Sequence, residues 1–151
     1  MRRFLFLFAL AVGLPGCDDD PAAPGPVPGY PHAFATPACA PTDGAAMAIY
    51  LTPTATADPP PVPYIQIYLT RSPAELEGRL WGWPGGEGVA SGRECTTAGG
   101  VCEDSPFGVI ALGQFAADSS LEVTVDLRRA NGDRVMGRST ARWVSRELFC
   151  G

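Results

Sequence analysis

Lysine is absent from this chain, and histidine occurs once, at His32. Nucleophilic catalysis of the Ser-His-Asp or Cys-His kind needs a nearby base, and the region after residue 38 offers neither His nor Lys. Positive charge is scarce. Eleven arginines face sixteen acids, for a net charge of −5. Such a surface has no electrostatic reason to seek nucleic acid. Long apolar runs are missing too. The marked one, residues 4–14 ("FLFLFALAVGL"), has eleven residues, whereas a membrane-spanning helix needs about 20. Phosphate-cradling glycine loops are also missing, since "PGGEGVASG" (84–92) lacks a Lys-Ser/Thr ending. No carboxylate stands in a setting that marks it as an acid or base. These absences point to no catalytic residue and no cofactor.

What is abundant is proline and glycine, sixteen and eighteen residues. They favour turns, linkers and short strands over long helices. Apolar residues make up 46%, enough for a packed core in one domain.

The first residues read Met1, Arg2, Arg3, the apolar run, then Leu14-Pro15-Gly16-Cys17. A positive start, a short apolar stretch and small residues describe an export signal. The last four residues resemble the lipobox of bacterial lipoproteins. That resemblance implies a diacylglycerol thioether on Cys17, cleavage before it so that residues 1–16 are lost, and acylation of the new amine. Two or three acyl chains at about 0.8 kcal/mol per buried CH₂ would make a lasting membrane anchor. It further implies a lipid-anchored location in the cell envelope with the rest of the chain outside the cytoplasm. Loss of Arg2 and Arg3 brings the net charge to −7. Asp18, Asp19 and Asp20 follow directly. Like charges repel, so they read as solvated chain; in lipoproteins such residues act as sorting signals.

Residues 17–38 carry prolines at 21, 24, 26, 28, 31 and 37 and show no apolar periodicity. The reading is a disordered linker of polyproline II character, at about 3.1 Å per residue long enough to hold a domain some 65 Å from the bilayer. His32 falls in it and reads as solvated.

The folded domain is expected over 39–151, as an antiparallel β-sandwich of about seven short strands. Period-two alternation marks "AMAIYLT" (46–52) and "YIQIYLT" (64–70), the latter with Gln66 opposite its isoleucines. The proline-rich 53–63 between them reads as a loop. Further strands are expected at 76–83, 88–95 and 107–115, and Ser72-Pro73 has the chemistry to open a single helical turn. The clearest element is a hairpin over 121–144. A two-residue turn at Asn131-Gly132 would bury Arg138. A three-residue loop, 130–132 with a left-handed Gly132, instead sets Leu127 opposite Val135 and Thr124 opposite Arg138. This hairpin resembles the late hairpin of bacterial immunoglobulin-like and fibronectin-like modules over about 25 residues.

Besides Cys17 four cysteines remain, Cys39, Cys95, Cys102 and Cys150. An even number in an exported chain reads as disulfides, with three pairings open. Cys95–Cys102 across a glycine-rich loop and Cys39–Cys150 across the domain ends are favoured. Intervening stretches of 55, six and 47 residues do not match zinc spacing. Glu103 and Asp104 lack the oxygen series of a calcium loop and read as solvated.

Trp81 and Trp83, two apart, point the same way on a strand. Buried they are core, the favoured reading. Exposed they would be a platform for a sugar ring or a partner protein. The functional expectation is a membrane-anchored, non-catalytic interaction or structural module. The alternative is a carbohydrate-binding or hydrolytic accessory domain using Trp81 and Trp83. Expected partners are the membrane through the lipid, and an envelope protein or glycan.

Overall fold

The computed structural model describes residues 24–42, 44–55, 60–85 and 88–150. The signal segment and Cys17 lie outside them. The fold is all-β. Among the described residues nine strands run β1 (His32–Cys39), β2 (Ala45–Thr52), β3 (Tyr64–Leu69), β4 (Leu80–Trp83), β5 (Ala90–Cys95), β6 (Glu103–Asp104), β7 (Phe107–Phe115), β8 (Ser120–Arg128) and β9 (Arg134–Trp143). One helical turn, α1 (Pro73–Leu76), precedes β4.

The expected sandwich has two sheets, but these strands form one hydrogen-bonded sheet in the order β4-β7-β8-β9-β1-β2-β3-β5-β6. Every pairing is antiparallel except β1 with β9. The sheet curls until β4, at one edge, packs against β5 near the other. Its concave side holds one core, built from Met47, Ile49 and Leu51 of β2, Ile65, Ile67 and Leu69 of β3, and the inward residues of β7 and β8.

The hairpin turn is the three-residue one. Leu127 pairs with Val135, Val123 with Ser139 and Thr124 with Arg138. Arg129 N–H donates to Asp133 O, and Gly132 takes φ +90°, a left-handed conformation that favours glycine. On the outer face Arg138 meets Glu122 at 3.5 Å.

The linker expectation is corrected. The described residues up to Ala38 belong to the fold. Pro26 bridges in parallel to Arg138, Val27 is 1% exposed in the core, and β1 lies in the middle of the sheet. The physical reason is that β1 (HAFATPAC) holds one large apolar residue, Phe34, among Ala, Thr and Pro, too few to mark a hydrophobic period. Pro37 is tolerated because β9 has already ended at Trp143 beside Ala35, so no ladder bond is lost there. The strand expected over 76–83 is shorter. Leu76 closes α1 and is fully buried, while Glu75 accepts bonds from Ser72 N–H (3.1 Å) and Ser72 hydroxyl (2.6 Å). β6 carries exposed Glu103 and Asp104, a two-residue strand too short and too polar to show any alternation.

Candidate functional site

The aromatic pair singled out in the sequence lies inside. Trp83 is 5% exposed, and its indole N–H donates to Ser105 O at 3.0 Å. Trp81 packs partly buried on the core and donates to Leu76 O at 3.2 Å. Two glycines make room. A Cβ at Gly108 would stand 2.0 Å from the Trp83 ring, and one at Gly92 would stand 2.5 Å from it. Trp83 therefore fills the seam where β4 and β7 meet β5. The exposed-platform alternative is thereby corrected, because both indole donors and the Trp83 faces are occupied by the protein.

Both favoured disulfides are present, Cys39–Cys150 and Cys95–Cys102. The first ties the end of β1 to the C-terminal segment, which runs on from Val144 N–H donating to Ala35 O. The second closes the loop between β5 and β6.

A buried ionic cluster joins three parts of the chain. Glu94, 8% exposed on β5, accepts two bonds of 2.7 Å from Arg129 at the hairpin turn and one of 2.6 Å from the Tyr30 hydroxyl. Burial, then the bond to Glu94, push the Tyr30 phenol up to about 12. The same carboxylate raises Arg129 further through its hydrogen bonds. Every member is satisfied, so the cluster is a clamp between the N-terminal segment, β5 and the hairpin.

The convex face of β1, β2, β3 and β5 is different in kind. Phe34 stacks on Tyr50 (centroids 4.8 Å, 15°), and Tyr50 meets Tyr64 edge-on at 5.6 Å. Tyr68 donates its hydroxyl to Cys39 O. Gln66, 8% exposed, donates from Nε2 to Tyr50 Oη at 2.8 Å and accepts at Oε1 from Arg93 Nε at 2.6 Å. Beside this chain a groove of about 370 Å³ opens, lined by Gln66, Tyr68, Ser91, Gly92, Arg93, Asp104 and Pro41. A second groove of about 530 Å³ lies past Phe34 and Thr52, between His32 and Arg142. His32 is exposed at the start of β1 rather than in a linker.

Sequence reasoning missed Arg93 and Tyr68, and it weighs Asp104 only as a calcium ligand and reads it as solvated. The signal for them is the run of tyrosines at 50, 64 and 68 on the nominally wet face, with Gln66 among them. Aromatics in that register mean a covered or binding face. Among the described residues no group of three or more His, Cys, Asp or Glu comes together to hold a metal ion. Comparison with protein-family models, with curated proteins and with solved structures finds no match.

Proposed function

We propose that this chain is a lipid-anchored bacterial envelope protein whose all-β body is an extracytoplasmic, non-catalytic recognition module. The observation that carries this reading is the cysteine pairing. All four described cysteines are consumed in two disulfides, which leaves Cys17 as the thiol open to alkylation. Disulfides that tie down a small domain belong to oxidising compartments, in keeping with the export signal. Two of the acids are engaged structurally, Glu94 with Arg129 and Asp126 with Arg134, each at 2.7 Å.

The ordered N-terminal segment changes the geometry of the tether. From Cys17 to Pro24 is seven residue steps, and covalent geometry limits each to at most ~3.6 Å. The body is thus held within about 25 Å of the lipid, not at the end of a long stalk.

Mass spectrometry of the native protein tests the reading. The expected product starts at Cys17 and carries added acyl mass, and Cys17→Ser leaves the protein uncleaved or released from membranes. An intact leader, or an unmodified start elsewhere, defeats it.

A further inference from the structure

We infer that the groove between β3, β5 and β6 is a binding site for a neutral, multiply hydroxylated ring, the chemistry of a hexose unit in a glycan. The inference deepens the recognition-module reading and rests on it.

Preorganisation is the first support. Arg93 is exposed, yet its Nε is fixed at 2.6 Å to Gln66 Oε1, and Gln66 is itself buried and fixed to Tyr50 Oη. Tyr50 is held between Phe34 and Tyr64. A guanidinium held at Nε by such a chain has given up part of its rotamer freedom before any ligand arrives, which lowers the cost of binding. Its remaining N–H donors meet no partner among the described residues.

The second support is the pairing of opposite functions. Asp104 stands across from Arg93 in the β5–β6 register. The two form no ion pair, and the Asp104 carboxylate has no partner among the described residues. Ser91, on the same face as Arg93, adds a hydroxyl, and Tyr68 adds an aromatic edge. An anion would be attracted by Arg93 and repelled by Asp104, and a cation the reverse. A vicinal diol satisfies both, donating to the carboxylate and accepting from the guanidinium, while Tyr68 and Pro41 are the lining residues that can meet its C–H face. A pocket of about 370 Å³ is within the range of small-ligand sites and suits one or two sugar rings.

The test is calorimetric titration of the full chain in detergent with cellotetraose and chitotetraose (neutral), tetragalacturonate (anionic) and a chitosan tetramer (cationic). Saturable binding of at least one neutral oligosaccharide is expected, with both charged ones at least tenfold weaker. Arg93→Ala and Asp104→Ala should each weaken neutral binding tenfold or more, about 1.4 kcal/mol. Asp104 is exposed and meets no partner among the described residues, so its variant should leave the urea midpoint unchanged and exclude misfolding as the cause. Arg93→Ala takes the donor from the buried Gln66 Oε1 and should lower its midpoint slightly while the protein still unfolds in one cooperative step. Asp104→Asn should keep neutral binding within about threefold and improve tetragalacturonate. Absence of saturable binding by both neutral probes, undiminished binding in the Arg93→Ala/Asp104→Ala double variant, or preference for either charged oligosaccharide would overturn the site. The anchoring is scored by mass spectrometry and the groove by titration, so either fails without the other.

Discussion

Strands β8 and β9 bury one face each, whereas β1 and β2 bury both. On β8 the inward Leu121, Val123, Val125 and Leu127 alternate with residues that meet water or an opposite charge across the strand. On β2 the inward Met47, Ile49 and Leu51 alternate with Ala46, Ala48 and Tyr50, which are just as buried. The convex side of β1 and β2 forms a second apolar cluster of small residues capped by aromatics, with Tyr64, Tyr68 and Val144 packed at its border. The lesson is that one curled sheet serves two purposes. Its hairpin half supplies generic burial, and its β1–β2–β3 half supplies a rigid platform carrying polar groups outward.

The contrast can be broken at several points. The largest effect is expected from Cys39→Ser/Cys150→Ser, which frees the C-terminal segment from the two-sided half. Chain entropy for so long a loop gives a loss of about 4.7 kcal/mol, read from urea unfolding. A loss under about 1 kcal/mol would show that the segment does not hold that face. Next comes Trp83→Ala, which empties the seam joining the two halves. A buried Trp removed with little relaxation costs about 3–5 kcal/mol, and a calorimetric melt would show it. Gly108→Ala should destabilise by about 1–3 kcal/mol through the opposite defect, overpacking.

Glu94→Gln tests the clamp between the halves. It leaves a partly buried guanidinium with a neutral partner, and because Arg129 keeps 30% of its side chain exposed the expected cost is about 2 kcal/mol rather than the full cost of a buried pair. The same clamp has an alkaline signature. The Tyr30 phenol titrates near 10 in the unfolded chain and at about 12 when folded, so its contribution is intact below pH 10 and is lost as the pH climbs to about 12. Urea midpoints across that window should fall less steeply in Tyr30→Phe than in the wild type.

Smaller still is Thr36→Val. The Thr36 hydroxyl is fully buried on β1 with no partner among the described residues. An isosteric methyl should therefore stabilise by about 1 kcal/mol, where a loss would reveal an unseen bond. Least of all is Arg134→Ala on the hairpin's wet face. At pH 7 it should lower the urea midpoint only slightly, as for an exposed pair. Asp126, held below its usual range by Arg134, contributes stability that is present above about pH 4 and lost on acidification. The variant should lack that acid slope.

Legibility followed the same division. The hairpin register was readable because only one loop length keeps Arg138 out of the core. The short disulfide was readable because six flexible residues close easily. β1 was not, because Ala, Thr and Pro carry no period and the prolines around it look like linker. The groove was half readable: Gln66 was seen opposite the isoleucines, but nothing local said that Arg93 and Asp104 would arrive beside it from residues 27 and 38 positions further on.

From sequence alone came the strand-rich class, the loop length of the last hairpin, the favoured cysteine pairs and the export-signal expectation. These rest on interactions between residues near in the chain, or on counting. Only the tertiary structure decided that the strands form one sheet, that Trp83 turns inward, that residues 24–38 join the fold, and that Arg93, held by Gln66, faces the Asp104 carboxylate. Alternation says a strand has two faces; what comes to cover each face is set by segments distant in the chain, and burial there is a property of their meeting.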